Sequence, residues 1–216
     1  MTNKYEVISG DTLWGLAERF YGDGRRHLVI AAANGLADPA HIVVGQELEI
    51  PYVTFRHQVK AGDTKKSLAQ HFYGNENLSE VFEIPNGAAQ RDLIVGEWLL
   101  IPDLANPGHH TVVAGETLPV LSDRWYGDAN LWPIIAIANE LSDPEPAPDT
   151  VLIRPRLNRR HTVVAGDTLW KLVGDNYGDY GDDRTLTLVK VVAAANLISD
   201  PDRITVGQLI YFPSFE

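Results

Sequence analysis

The stretch Tyr5-Glu6-Val7-Ile8-Ser9-Gly10-Asp11-Thr12-Leu13-Trp14-Gly15-Leu16-Ala17-Glu18-Arg19-Phe20-Tyr21-Gly22 decides the fold, because its punctuation returns three more times. Gly-Asp-Thr, or Gly-Glu-Thr, begins at Gly10, Gly62, Gly115 and Gly166, at intervals of 52, 53 and 51 residues. Twelve residues after each glycine a Tyr-Gly pair ends at Gly22, Gly74, Gly127 and Gly178. Twelve residues further on stands Asn34, Asn86 or Asn139; in the fourth block the matching Asn196 is displaced by a six-residue insertion. Each block closes on a proline, at Pro51, Pro102, Pro155 and Pro213. A fixed period of this length implies an array of small supersecondary units.

Within the first block, Tyr5 to Ile8 has strand composition and ends in a Ser9-Gly10 turn. Asp11 or Thr12 then offers a side-chain oxygen to the free N–H groups of a helix start. Leu13, Leu16, Ala17 and Phe20 form a stripe of 3.6-residue period, with Trp14 and Tyr21 on an edge beside it. Gly22 suits the left-handed stop. A second helix fits residues 26 to 34, with Leu28, Ile30, Ala31 and Ala32 as core candidates. Glu47-Leu48-Glu49-Ile50 alternates as a final strand able to pair antiparallel with the first. The order is strand, helix, helix, strand.

Composition bounds what such a chain can do. Its 216 residues are 44% apolar, a globular value, and contain no cysteine, which excludes disulfides and thiolate metal sites. The formal charge is −11 and no basic cluster exceeds a pair, which argues against nucleic acid and anionic membrane surfaces. No apolar run approaches the roughly 20 residues of a membrane span, and Met1 to Val7 has no apolar core of a secretory signal. The expectation is synthesis in the cytoplasm, with a non-classical route or a phage-like particle supplying any access to a cell wall.

The markers of blocks 1 and 4 closely resemble the LysM family, whose pattern runs Tyr-x-Val-x-x-Gly-Asp-Thr-Leu, then Ile/Leu-Ala, Asn, and Gly-Gln-x-Leu-x-Ile-Pro. Block 1 carries it at Tyr5, Val7, Gly10 to Leu13, Leu16, Ala17, Asn34, Gly45, Gln46, Leu48, Ile50 and Pro51; block 4 at Val163, Gly166 to Leu169, Leu172, Asn196, Gly207, Gln208 and Pro213. The resemblance implies an α+β chain of four tandem βααβ LysM domains, each with a two-stranded antiparallel sheet and two helices. The boundaries are 4–52, 55–103, 109–156 and 160–214, with short linkers around Tyr52 to Thr54, Leu104 to Gly108 and Arg156 to Arg159. The Tyr-Gly marker is similar to a longer LysM variant. Two blocks depart. Block 2 has Lys65-Lys66 where block 1 has Leu13-Trp14, and Pro85 before its Asn86; block 3 has Pro119 at the Trp14 position and Asp149-Thr150 for Gly45-Gln46. Asp tolerates the left-handed backbone at modest cost, so block 3 is expected to fold.

The resemblance also implies a ligand. In LysM modules, N-acetylglucosamine polymers lie in a shallow groove between the Gly-Asp-Thr turn and the loop before the second strand. The matching positions are Gly10, Asp11, Thr12 and Leu13 against Leu36, Asp38 and Ile42, and Gly166, Asp167, Thr168 and Leu169 against Ile198, Asp200 and Ile204. The implied function is multivalent binding of peptidoglycan or chitin-like polymers. The alternative is a structural adaptor of a phage tail or contractile-injection particle, partnered by other proteins of that assembly. Small-ion sensing is a weaker third reading.

Other chemistry finds little support in the residues. No Gly-x-Ser-x-Gly, His-Glu-x-x-His or Walker loop occurs and no carboxylate pair recurs, so the expectation is a non-enzyme without cofactor or metal. His57, His110 and His161 all fall at the Tyr5 position, which reads as a half-buried strand edge rather than a zinc ligand set. The acidic insertion Asp179 to Asp183 lacks the spacing of a calcium loop and reads as a solvated surface loop. Trp14 and Trp170 correspond and would suit sugar stacking, but the edge shared with Ala17 and Tyr21 favours a core role. Trp98, Trp125 and Trp132 read as structural.

Overall fold

A computed structural model describes residues 3–178 and 181–215. Among them the chain forms four two-stranded antiparallel sheets, each closing one block. Block 1 runs β1 (Asn3–Glu6), α1 (Leu13–Tyr21), a 3₁₀ turn, α2 (His27–Ala33) and β2 (Glu47–Ile50). Block 2 runs β3 (Phe55–Gln58), α3 (Lys65–Tyr73), α4 (Glu80–Glu83) and β4 (Trp98–Ile101). Block 3 has β5 (Asp103–Thr111), α5 (Leu118–Tyr126), α6 (Trp132–Ala138) and β6 (Val151–Arg156). Block 4 has β7 (Arg159–Thr162), α7 (Leu169–Tyr177), α8 (Asp182–Ala195) and β8 (Leu209–Phe212). The segment Leu104 to Gly108, expected as a linker, lies inside β5, where the register to β6 shifts between Asp103 and Gly108.

Each recurring residue has a mechanical task. Gly22, Gly74 and Gly127 end their helices at φ of 69°, 69° and 72°, the left-handed backbone that glycine adopts without a Cβ penalty. In blocks 3 and 4 the preceding tyrosine ties the helix to the block's end: Tyr126 Oη donates to the Pro155 carbonyl at 2.8 Å, and Tyr177 Oη to Pro213 at 2.6 Å. The asparagine stitches the second helix to the second strand. Asn34 donates to the Ile30 and Glu49 carbonyls and accepts from the Glu49 N–H, all at 2.8 Å. Asn86, Asn139 and Asn196 repeat this with Leu100, Ile153 and Tyr211. Removing such an amide orphans partly buried backbone groups, at about 1–3 kcal/mol each.

The departures of block 2 are compensated pairwise. Lys65 stands where Leu13 meets the core, and Glu83, at the position of Ala31, is buried and binds its ammonium at 2.8 Å. Lys66 replaces Trp14, and Glu76, replacing Gly24, lies 3.5 Å from it. α4 is only four residues long, since Pro85 has no N–H to extend it. In block 3, Asp149 takes φ of 66° and so occupies the left-handed position of Gly45, as expected.

Blocks 2 and 4 each gather a buried cluster from their own residues, whereas the cluster of block 1 also takes in residues of α8. Two compact units emerge, the first built from Met1–Val53 with Asn158–Glu216, the second from Thr54–Leu157. In unit 1, α2 packs on α8, and Val191 and Ala195 belong to one buried cluster with Val7, Leu13, Leu16, Val29 and Leu48. Buried Arg26 pairs with Asp23, and its Nε donates to the Ala195 carbonyl at 3.0 Å. In unit 2, α4 packs on α6 in the same manner. The partner of block 1 is therefore block 4 rather than its sequence neighbour. Leu28, a core candidate, is exposed, and Val29 is buried in its place. Of the acidic insertion, Asp182 and Asp183 form the first turn of α8 instead of a loop, where carboxylates favour the helix dipole; residues 179 and 180 lie outside the described residues. No helix among the described residues is long and apolar enough to cross a membrane.

Candidate functional site

The first lip of the expected groove is, in each block, the turn between the first strand and the first helix. Of the two candidate caps, the threonine does the work. Thr12 Oγ1 accepts from the Gly15 N–H at 3.0 Å, and Thr64, Thr117 and Thr168 accept from Ser67, Val120 and Lys171. The acid before it folds back on the strand. Asp11 Oδ2 accepts from the Ile8 N–H at 2.9 Å and from Tyr5 Oη at 2.8 Å. In the other blocks the tyrosine becomes histidine: His57 Nε2 is 2.8 Å from Asp63, His110 Nε2 is 2.6 Å from Glu116, and His161 Nε2 is 2.8 Å from Asp167. The recurring aromatic or imidazole at the strand start is thus half of a clasp that fixes the turn.

The histidine clasps of blocks 2 to 4 favour the ionised form of their acids. Asp63 is shifted below the usual carboxylate range, first by the His57 hydrogen bond and then by the Lys60 N–H. Asp167 is lowered mainly by the Val164 N–H, then by His161. Glu116 falls to about 2, through the Val113 N–H, His110 and Arg124. The preceding glycines, Gly10 to Gly166, take φ near +90°, a conformation in which any side chain is strained.

The second lip is the loop between second helix and second strand. Asp38 closes it on itself, accepting from the Ala40 N–H at 2.9 Å with His41 at 2.8 Å; the Ala40 bond is the chief reason its carboxyl is lowered. Asp200 makes the same turn with the Asp202 N–H at 3.1 Å. Leu36 and Ile42 are half-buried against the core of unit 1, as are Ile198 and Ile204 in block 4. They form an apolar floor edge beside the lip. Leu13 and Leu169, expected at the groove, are 2% and 1% exposed. Their side chains are core, and only their backbone stands at the lip.

The four clefts differ in what the lips do to each other. In block 3 the Leu118 N–H donates to the Pro144 carbonyl at 2.8 Å, which joins turn to loop. In block 2 Lys65 Nζ reaches the Ala89 carbonyl at 3.4 Å, spanning the same gap. Among the described residues, no hydrogen bond joins the lips in blocks 1 and 4: the Leu13 and Leu169 N–H groups have no partner. A cleft of about 320 Å³ in unit 1 is lined by Ala33, Glu49 and Leu188, with residues from the first turns of α8, and contains no lip residue.

Trp14 and Trp170 are 52% and 45% exposed, which corrects the expected core role. Trp14 lies flat over Gly24, where a Cβ would stand 2.3 Å from its ring, and the His27 ring centroid is 5.6 Å away. Gly24 is the signal that sequence reading missed: a glycine ten residues after a tryptophan makes room for the indole on the surface. Trp125 is half-buried between His110 and the Arg154 guanidinium. Among the described residues no three His, Asp or Glu side chains are gathered as a metal site.

Residues 5–51 and 161–213 match the LysM domain, the two blocks whose lips are not bridged. Two proteins from strains of Mycobacterium tuberculosis, named Esterase MT1326 and Esterase Rv1288, are each 46% identical over 145 residues, 67% of this chain and 31% of theirs. The chain thus spans about a third of the length of these relatives. The expectation of a non-enzyme is overturned by this finding, since the proteins that share its sequence are named esterases. Among solved structures, the Bacillus megaterium spore cortex-lytic enzyme SleL aligns at 28% identity over 49% of this chain and 24% of its own, with a TM-score of 0.27. The ectodomain of a receptor-like kinase aligns at 13% identity over 70% and 88%, with a TM-score of 0.21.

Proposed function

We propose that the chain is an array of four LysM repeats of the Tyr-Gly variant, bounded at 4–52, 55–103, 109–156 and 160–214. Its role is to hold N-acetylglucosamine-containing polymers, of peptidoglycan or chitin type, for an ester-cleaving enzyme. The observation that carries this reading is the pairing of exposed, polar lips over an apolar floor edge at Gly10 to Leu13 with Leu36, Asp38 and Ile42, and at Gly166 to Leu169 with Ile198, Asp200 and Ile204, in the blocks that match the LysM domain. Backbone groups at the lips suit the acetamido group, and Leu36, Ile42, Ile198 and Ile204 suit the sugar faces. An acidic chain of this charge gains its grip from such neutral contacts rather than from ion pairing.

One shallow cleft binds weakly, and two engaged on one polymer raise avidity by about 10²–10⁴ where geometry allows. The name of the relatives supports coupling this grip to ester hydrolysis, with the array raising the concentration of an ester-bearing polymer at the catalytic centre. The test is sedimentation with purified peptidoglycan and chitin, alongside ester release from wall polymer and from a small chromogenic ester. Retention on at least one polymer, and faster ester release from polymer than from the small ester, is the expected result. A chain left wholly in the supernatant with both polymers refutes the reading.

A further inference from the structure

We infer that polymer binding is confined to blocks 1 and 4, and that the clefts of blocks 2 and 3 are held closed by the chain's own polar groups. The inference rests on the glycan-binding reading above and names which sites carry it. An acetamido group presents one N–H and one carbonyl, so a cleft that holds it must leave both an acceptor and a donor unengaged. Among the described residues of block 1 the Leu13 N–H has no partner on one lip, and the Ala37 and Pro39 carbonyls receive no hydrogen bond on the other. In block 4 the same is true of the Leu169 N–H and of the Ser199 and Pro201 carbonyls among the described residues.

Block 3 spends both groups at once. Its Leu118 N–H and Pro144 carbonyl, the counterparts of Leu13 and Pro39, are bonded to each other at 2.8 Å. Block 2 spends one acceptor on a strap. Lys65 extends over the gap to the Ala89 carbonyl, the counterpart of Ala37, while buried Glu83 holds the same ammonium at 2.8 Å. Lys65 and Glu83 replace the apolar pair Leu13 and Ala31 together, so the strap is a matched substitution rather than an isolated charge. A ligand entering block 3 must break an existing hydrogen bond to make its own, and one entering block 2 must displace the Lys65 side chain from the Ala89 carbonyl; such an exchange leaves little net gain. In blocks 1 and 4 no bond is lost.

The experiment is calorimetric titration of the whole chain with the tetramer of N-acetylglucosamine. Two tetramers per chain are expected. The variant Ala37→Trp with Ser199→Trp, two exposed lip positions, is expected to lose binding at least tenfold, whereas Ala89→Trp with Ser142→Trp leaves it unchanged; equal melting temperatures certify that all fold. A third variant, Lys65→Leu with Glu83→Ala, restores the apolar pair of block 1 and is expected to raise the count from two to three. Four tetramers bound by the unaltered chain, loss of binding in the Ala89 and Ser142 variant, or no gain on removing the strap would each overturn the inference. A chain that binds no tetramer and no peptidoglycan overturns the glycan reading itself, which is a different result from binding at all four blocks.

Discussion

Unit 1 and unit 2 are built to the same plan from the same punctuation, yet they settle the same three positions differently. At the start of the first helix unit 1 places Leu13 and Leu169 in the core with their N–H groups unengaged, whereas unit 2 places Lys65 across its cleft and bonds Leu118 to Pro144. At the end of the 3₁₀ turn unit 1 buries Arg26, tied to Asp23 and to the Ala195 carbonyl, whereas unit 2 has Leu78 and Leu131. Beside the turn, unit 1 lays Trp14 over Gly24, and unit 2 sets Lys66 against Glu76. The difference teaches that the repeated markers secure the βααβ frame, while the positions between them decide whether a hydrogen bond joins its two loops.

The largest effect expected from breaking this contrast is at Arg26. Arg26→Leu copies the residue of unit 2 but leaves Asp23 buried with Arg25 alone and the Ala195 carbonyl without its donor. Removing one partner of a buried ion pair costs on the order of 3 kcal/mol. Chemical denaturation followed by hydrogen exchange is expected to show faster exchange in α2 and α8 with α4 and α6 unchanged; a uniform change over both units contradicts the shared core of blocks 1 and 4. Next comes the strap. Lys65→Leu alone strands the Glu83 carboxylate and is expected to cost about 2 kcal/mol, whereas adding Glu83→Ala recovers it or better, since buried pairs are often replaced by apolar groups without loss. Equal stability of the single and double variants would show that the pair is not coupled.

A smaller effect belongs to the caps. Thr12→Ala and Thr168→Ala each remove the acceptor for a helix N–H and are expected to cost about 1 kcal/mol. Thr64→Ala sharpens the comparison, because Ser67 also donates back to the Thr64 carbonyl and accepts from its N–H, which leaves part of that cap in place. The mildest effect is that of acid. Glu116 is held at about 2, below its ordinary 4.5, so its clasp stabilises the fold fully above pH 4.5. That contribution is lost progressively as pH falls from 4.5 towards 2. Glu116→Gln is expected to flatten the acid limb of a stability-against-pH curve in that window, and an unchanged limb would remove the clasp from the account.

Much of this was legible in the residues. The Gly-Asp-Thr turn, the Tyr-Gly stop, the asparagine and the closing strand all fall where periodicity and turn chemistry put them, because each acts within its own block. The acid and threonine of the turn stayed ambiguous, since both can cap; the strand-start Tyr or His, six residues before the acid, was the clue that the acid is engaged elsewhere. The pairing of block 1 with block 4 was not legible from spacing, which is blind to which helix meets which. Its signal lay in α8: Leu188, Val189, Val191, Val192, Ala193 and Ala195 are buried on more than one face, and a helix apolar over so wide an arc needs a second surface to cover it. Trp14 was misread because its seven-residue spacing from Tyr21 suggested a shared face, whereas the bare backbone of Gly24 gives it a surface shelf. Enzyme kinship was not legible at all, because no catalytic motif occurs in this stretch of chain.

The most direct measurement is amide chemical-shift mapping of the whole chain titrated with the N-acetylglucosamine tetramer. Shifts concentrated at Leu13, Leu36 and Ile42 and at Leu169, Ile198 and Ile204, with Lys65 and Leu118 unmoved, are the predicted result. Equal shifts at Lys65 and Leu118, or a spectrum indifferent to the sugar, would contradict it.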